Sequence, residues 1–330
     1  MVFVHGLGHF HPDNEITNRF LADLDIGTNE EWILERTGIR SRRTVLPLDY
    51  IRSTRNRDVR AADEAAELSN AELGCRAAEM AIARAGVDRS EIGMVIAGGS
   101  LPGHASPAEA CTIAAALELE VPAFDVRSAC TSFASILQVV SMMRDDALPP
   151  YVLIAVPETV TRAIDYDDRA AAVLWGDAAA AAVVSTTVPA RAVVTQNSLR
   201  SSPTRCKTVT IPWAGHFSQE GPTVQSFAIK TSVKLLRGLQ RDAGRDAERL
   251  HFIGHQANLL MLENVCRSCD IPDDRHHSNV VDKGNTATAG SASVLSGHWG
   301  RFETGDRVAI VGVGAGLTWS TTLLSFEEAR

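Results

Sequence analysis

Aromatic side chains are scarce in this chain: phenylalanine, tryptophan and tyrosine make up 5% of its 330 residues. A core with few rings must close with small residues, and alanine, glycine and valine dominate the apolar runs. That suits strands and helices packed at short range. No run of 18 apolar residues occurs, so no membrane span is expected. Positive charge is not in excess: the formal net charge is −8 and the pI is near 5.7. That balance argues against a nucleic-acid binder. The start, Met1-Val2-Phe3-Val4-His5-Gly6-Leu7-Gly8, lacks a basic segment and a cleavage site. It reads as a strand and a glycine-rich turn. The six cysteines form no disulfide framework, so a reduced, cytoplasmic protein is expected. Cys266 and Cys269 make one C-x-x-C on a segment of helical spacing, without further ligands. We read them as helix cysteines and expect no metal.

Cys130 stands where a short apolar strand meets a small-residue helix start, in Val121-Pro-Ala-Phe-Asp-Val-Arg-Ser-Ala-Cys130-Thr-Ser-Phe-Ala-Ser-Ile136. The strand fixes the backbone and the small neighbours leave room for a substrate. The helix aims free N–H groups and its positive end at the sulfur, which favours thiolate. Two later segments supply partners: Gly254-His255-Gln256-Ala257-Asn258 after a strand, and Lys283-Gly284-Asn285-Thr286-Ala287-Thr288-Ala289-Gly290. Cysteine, histidine and asparagine, each read at the end of a strand, make an acyl-transfer set. An isolated cysteine is ordinarily a small buried hydrophobe; the two loops reverse that reading here.

A capping box, Thr28 to Glu31, opens a short helix carrying Trp32. Arginines follow at 36, 40, 42 and 43. Residues 44–72 are polar, charged and irregular, and read as a surface insertion. Alanine-rich helices are expected over about 70–85 and 107–119, and strands at 92–97 and 151–156. Residues 170–184 suggest two buried strands around Trp175-Gly176-Asp177. The second part repeats the first. Ala85 to Ile92 before a strand matches Ala243 to Leu250 before a strand, 158 residues on. The strand leading to Cys130 has its counterpart in Asn279 to Asn285, 155 residues on. This implies two duplicated α/β lobes, 1–188 and 189–330, with a boundary near 186–191. Ligands in such sheets bind at the carboxyl ends of strands where the halves meet. Cys130 from the first lobe would there meet His255 and Asn285 from the second.

These residues resemble the ketoacyl-ACP synthase III group of condensing enzymes in the thiolase superfamily. Six segments carry the resemblance: Glu31 to Arg40, Ala129-Cys130, Trp175-Gly176-Asp177, His255 to Asn258, Gly284-Asn285-Thr286, and Gly314 to Trp319. The resemblance implies a five-layered αβαβα fold and a homodimer. It implies that Cys130 takes an acyl group from a coenzyme A or acyl-carrier-protein thioester. The main-chain N–H groups of Cys130 and Gly316 would bind the oxyanion. His255 and Asn285 would donate to the carbonyl of a second, malonyl-like or β-ketoacyl thioester as it becomes an enolate. Trp32 and Arg169 match positions beside the adenine of coenzyme A, Arg36 a phosphate-side position, and Asn258 the pantetheine arm. No cofactor is implied beyond these thioesters.

Some residues depart from the housekeeping pattern: Leu260 where carrier-binding members often have arginine, Trp175 and Leu317 where phenylalanine is frequent, and the longer 44–72 connection. The stretch Thr44 to Ile51 is similar to specialised relatives that fuse two β-ketoacyl chains into pyrones or dialkylresorcinol precursors. Acyl transfer to a hydroxyl or amine, and priming of fatty acid synthesis, are the alternatives within the family. The order Cys, His, Asn also occurs in papain-like proteases, but the strand and about 120 residues of α/β sequence before Cys130 speak against that. For a carrier protein, Lys230, Lys234, Arg237 and Arg241 recur on one helix face, helped by the arginines at 40–43. Val45, Leu46, Leu48, Tyr50 and Ile51 form an apolar cluster that must pack somewhere; the proposed place is over the acyl tunnel, or on the partner subunit beside it, where it would help hold a medium or long chain.

Overall fold

The structure is a computed structural model and describes residues 1–328. The first strand, β1 (Val2–Phe10), is followed by a ribbon of β2 (Asn14–Thr17) and β3 (Ser41–Thr44), with α1 (Asn18–Asp23) and α2 (Glu30–Thr37) between its strands. Next come α3 (Leu48–Thr54), α4 (Val59–Ala65), α5 (Asn70–Ala85), β4 (Ile92–Ala97), α6 (Glu109–Ala116), β5 (Ala123–Asp125) and α7 (Ser132–Met142). The first half ends with β6 (Tyr151–Glu158), α8 (Arg169–Ala172) and β7 (Ala178–Ser185). The second half holds β8 (Ala192–Ser201), the small hairpin β9 (Val209–Thr210) and β10 (Ser218–Gln219), and α9 (Gly221–Ala243). It closes with β11 (Leu250–Gly254), α10 (Leu259–Ser268), α11 (Val280–Lys283), α12 (Ala287–Gly297), β12 (Arg307–Gly314) and β13 (Thr318–Phe326).

Nine strands are hydrogen-bonded in the order β11-β12-β13-β8-β1-β7-β6-β4-β5. Side-chain alternation divides each strand between two cores. Along β7, Ala178, Ala180, Ala182 and Val184 face a central core with Phe133, Ile136 and Leu137 of α7 and Ala289, Ala292 and Leu295 of α12. Ala179, Ala181 and Val183 face outward onto α5 and α6. On the other side, Leu250, Phe252, Ala309, Val311 and Leu323 face α9 and α10. The layers are therefore α5/α6, sheet, α7/α12, sheet, α9/α10, which is the five-layered arrangement that the resemblance implies.

The second half follows the topology of the first. β4 lies parallel to β6 and β6 antiparallel to β7; β11 lies parallel to β12 and β12 antiparallel to β13. β7 and β13 then pair antiparallel with β1 and β8. β1 and β8 themselves pair over Val2–Val4 and Ala192–Val194, joining the halves edge to edge. α7 and α12 are equivalent, and each is entered through an alanine with positive φ: Ala129 at 50° and Ala287 at 47°.

Several local expectations are corrected. Gly6 and Gly8 lie inside β1 and form no turn; a Cβ at Gly8 would collide with the Ala77 carbonyl, and one at Gly6 with the Ala81 carbonyl. These glycines let α5 lie directly on the strand. The cap of α2 is Asn29, whose side chain accepts from Trp32 N–H at 2.8 Å, and not Thr28. Residues 44–72 are not irregular, because α3 and α4 occupy them; Val45, Leu46 and Ile51 are fully buried. Residues 170–184 hold one strand, β7, preceded by α8. Residues 280–283 are the helix α11, and the place beside β11 that corresponds to β5 is filled by a single bridge, Phe252 to His276. Asn285 thus follows a helical turn, not a strand.

Candidate active site

β5 delivers the chain to Cys130, which is half-buried in a single 3₁₀ turn, Ala129–Thr131, running into α7. Its neighbour on the other side is the end of β12. A Cβ at Gly314 would stand 3.1 Å from Cys130 N and 3.2 Å from Cys130 Cβ. Glycine lets the two backbones approach closely, since a Cβ there would force the Cys130 turn to give by a few tenths of an ångström. The backbone N–H groups that reach the Cys130 sulfur are its own and that of Ala315. Ala315 directly follows the strand end that touches Cys130, and Gly316 is the next residue. Thr318 braces this turn, donating to Ala315 O at 3.0 Å and lying 3.0 Å from Thr131 Oγ1.

His255 leaves β11 beside β12, its N–H bonded to Val311 O at 2.8 Å, three residues before Gly314. Gln256 is buried and ties this loop to the next segment. Its Nε2 donates to Gly254 O at 2.7 Å, and its Oε1 accepts from Asn279 N–H at 3.1 Å. Burial pushes the His255 imidazole down to about 4, so it is neutral at physiological pH.

Asn285 is held by its own backbone against residues 174–176. Its N–H donates to Leu174 O at 2.8 Å, and its carbonyl accepts from Gly176 N–H at 3.0 Å. A Cβ at Gly176 would strike the Lys283 carbonyl, which accounts for glycine in Trp175-Gly176-Asp177. Asp177 is fully buried and accepts from Thr161 N–H and Val45 N–H, both at 2.9 Å. Burial raises its carboxyl to about 6. The Asn285 Oδ1 accepts from Ala287 N–H at 3.0 Å, so the amide presents its NH₂ to the site. Three residues after Asn285, Thr288 Oγ1 accepts from Phe133 N–H at 3.0 Å, locking the first turn of α12 to that of α7. The turn carrying Cys130 thus lies against the end of β12, His255 follows β11, the strand paired with β12, and Asn285 precedes the turn of α12 that bonds α7.

Electrostatics differ from the simple expectation for Cys130. Burial first, and then the nearby Glu158 carboxyl, push the thiol up to about 12, against the pull of the Ser100 hydroxyl and of the Cys130 and Ala315 N–H groups. Glu158 at the end of β6 is itself fully buried and raised to about 8 by burial. Sequence reading missed it, although an acid directly after the apolar run of 151–157 is a visible signal. It also missed Ala315, Gln256 and Thr288.

Arg169 lies over the Trp32 ring with its guanidinium carbon 5.0 Å from the centroid, and Arg36 at 5.8 Å. Arg169 donates to Gly27 O, while Asp167 pairs with Arg55 and Arg57. Asn258 caps α10, accepting from Met261 N–H at 2.8 Å. Lys230, Lys234, Arg237 and Arg241 are exposed along α9, and Arg237 is tied to Ser268 O at 2.8 Å. The arginines at 40–43 do not extend this stripe as a group. Arg42 is fully buried, bonded to Val173 O and Asn18 Oδ1, and Arg43 bonds Asp13 O. Leu46, Ile51, Val160, Trp175, Phe217 and Ala287 form one apolar cluster against which Leu48, Tyr50 and Cys130 pack.

Residues 124–203 match the model of 3-oxoacyl-[acyl-carrier-protein] synthase III, and residues 240–326 match that of its C-terminal part. The chain is 30% identical to the beta-ketoacyl-[acyl-carrier-protein] synthase III of Aliarcobacter butzleri, over 98% of this chain and 97% of that protein. It is also 30% identical to the synthase III of Sphingopyxis alaskensis, with 97% of each chain covered. The crystal structure of the Aquifex aeolicus 3-oxoacyl-[acyl-carrier-protein] synthase III superposes with a TM-score of 0.86 at 26% identity, covering 99% of this chain and 100% of that one. The priming beta-ketosynthase of the R1128 polyketide pathway superposes with a TM-score of 0.83 at 26% identity, covering 100% and 97%. With this fold and these relatives, the chain belongs to the 3-oxoacyl-[acyl-carrier-protein] synthase III family, the thiolase-like condensing enzymes.

Proposed function

We propose that Cys130 attacks an acyl-coenzyme A or acyl-carrier thioester and keeps the acyl group, while the N–H groups of Cys130 and Ala315 hold the oxyanion. A malonyl-like or β-ketoacyl thioester then binds. His255 and the Asn285 NH₂ donate to its thioester carbonyl as carbon dioxide or a proton leaves, and the resulting carbanion attacks acyl-Cys130. Both donors are uncharged, so they stabilise the enolate oxygen without holding the carboxylated substrate too tightly. The observation that carries this reading is Asn285. Its oxygen is occupied by Ala287 N–H, which leaves only its donor end for the site. Simple acyl transfer has no use for a second carbonyl donor.

Trp32 with Arg36 and Arg169 offers a stacked cationic surface that fits an adenine nucleotide. Residues of 44–62 pack in the same cluster as Cys130, which favours medium or long acyl chains and a role in specialised lipid or polyketide assembly over acetyl priming. The R1128 relative's role in polyketide priming supports that assignment. The second copy for a homodimer would sit on β5, a three-residue strand at the end of the sheet order. The experiment is mass spectrometry after incubation with acyl-coenzyme A and acyl-carrier panels. The wild type should gain one acyl group, Cys130→Ala none, and Asn285→Ala one acyl group but little condensed product. Normal condensation by Asn285→Ala would overturn the assignment in favour of simple transfer.

A further inference from the structure

The polar chain behind the thiol has no part in the reading above. β4 ends at Ala97, and Gly98-Gly99-Ser100 then pass over the start of α7; a Cβ at Gly98 would lie 3.0 Å from Ser132 Cβ. The Ser100 hydroxyl stands close enough to the Cys130 thiol to pull its pKa downward. The same hydroxyl lies 3.0 Å from Glu158 Oε1. Glu158 is fully buried and is also held by two backbone donors: Ser100 N–H reaches both carboxyl oxygens at 3.0 Å, and Thr288 N–H reaches Oε1 at 3.2 Å. Arg127, which donates to Ser100 O at 3.0 Å, is the cation facing this carboxyl, and Cys130 is the other titratable group near it. Nothing about folding alone requires a buried acid here; an amide or an apolar side chain would avoid the desolvation cost.

We propose that Ser100 and Glu158 form a proton relay for the acylation of Cys130. When an acyl thioester arrives, the Cys130 proton passes to Ser100 Oγ while the Ser100 proton passes to Glu158. The thiolate adds to the thioester carbonyl, and the bond to the donor sulfur breaks. The departing thiolate takes the proton back along the same path. The site then holds acyl-Cys130, neutral Ser100 and ionised Glu158, and the donor leaves as a thiol. Net charge is conserved throughout, so a thiol in an enclosed site is activated without an added negative charge. The proposal rests on Cys130 as the nucleophile. Ser100 acts on the reacting sulfur, and Glu158 acts through Ser100.

The test follows the rate of the acyl adduct on Cys130 by rapid-quench mass spectrometry between pH 6 and 9.5, with decanoyl-coenzyme A as the probe. For the wild type the rate should rise through about pH 8, where the buried Glu158 carboxyl ionises. Ser100→Ala and Glu158→Gln should lose that rise and acylate about 100-fold more slowly at pH 8, in the range for a positioned base. Ser100→Thr should restore both. A merely structural Glu158 would lower stability and leave the pH profile in place. A profile in Ser100→Ala that matches the wild type would overturn the relay, and Ser100→Ala decides the matter even where Glu158→Gln does not fold. Absence of any adduct on the wild type would instead refute Cys130 as the nucleophile, and the relay with it.

Discussion

Phe133 donates its backbone N–H to Thr288 Oγ1 at 3.0 Å, and this one bond joins the first turn of the cysteine-bearing helix to that of the asparagine-bearing helix. Both residues are buried. Thr288 occupies in the second half the seat that Cys130 occupies in the first, since Ala129 and Ala287 are the matching positive-φ entries. One elbow carries Cys130, the proposed nucleophile; the other carries a brace.

Thr288→Val keeps the volume of the side chain and removes the acceptor. The Phe133 N–H is then left buried without a partner, which costs about 1–3 kcal/mol. The expected outcome in urea denaturation is a lower midpoint. In single-turnover assays, condensation should slow more than acylation, because Asn285 is three residues away. An unchanged denaturation midpoint would show that Thr288 braces nothing.

Acid should destabilise the fold through its histidines. His255 and His277 are held down to about 4 by burial, His277 also by His298 and His251, and His11 to about 3. Their ordinary value is about 6.5. The unfolded chain therefore binds more protons than the native one below pH 6.5, so stability is fully present above that pH and is lost as pH falls from about 6.5 toward 4. His277 stacks on His251 at 5.1 Å and meets His298 at 4.5 Å. The variant His277→Gln should show a shallower fall in Tm between pH 7 and pH 5 than the wild type. Parallel curves would remove this stack from the acid response.

Lys230 and Lys234 are exposed on α9. If they steer an acidic carrier protein, the double variant Lys230→Glu, Lys234→Glu should raise KM for carrier-bound acyl groups several-fold at low salt and less at high salt. KM for small thioester mimics should stay unchanged. Identical steady-state kinetics with the carrier would eliminate this face.

Leu48 and Tyr50 are half-buried against the cluster that reaches Cys130. Replacing both with alanine should shift the acyl-chain profile of Cys130 loading across thioesters of two to twelve carbons, with circular dichroism unchanged. The same profile in variant and parent would exclude α3 from chain selection.

The elements with strong local signals were legible in the sequence. The capping box at Ser69 and Glu72 and the αL glycine at Gly86 bound α5 at Asn70–Ala85, close to the helix read over 70–85. The Cys130 elbow was legible for a similar reason: strand, small residues and helix follow one another locally. Misreadings arose where tertiary contacts decide. Residues 44–72 look polar along the chain, yet Asp177 and Thr161 reach across to satisfy Val45 N–H and Thr44 Oγ1 and draw that end of the segment inward. Val280 to Lys283 carries strand-like valines, but Gly284 at φ 68° turns it into one helical turn before Asn285. Glu158 was invisible as a partner of Ser100, since 58 residues separate them.

Every residue of α12 from Ala287 to Ser296 is buried, and most are alanine, serine, threonine or glycine. A Cβ on Gly290 would press on Gln256 at 3.0 Å. The waist of the molecule is consequently set by the α7/α12 layer, and its α12 side cannot be thickened from within. Bulk added there would wedge the two sheets apart and drag His255 and Asn285 away from Cys130 together. Variation that retunes this enzyme for a new acyl chain has to enter from the rim, through elements such as α3 and α4, while the waist stays slender.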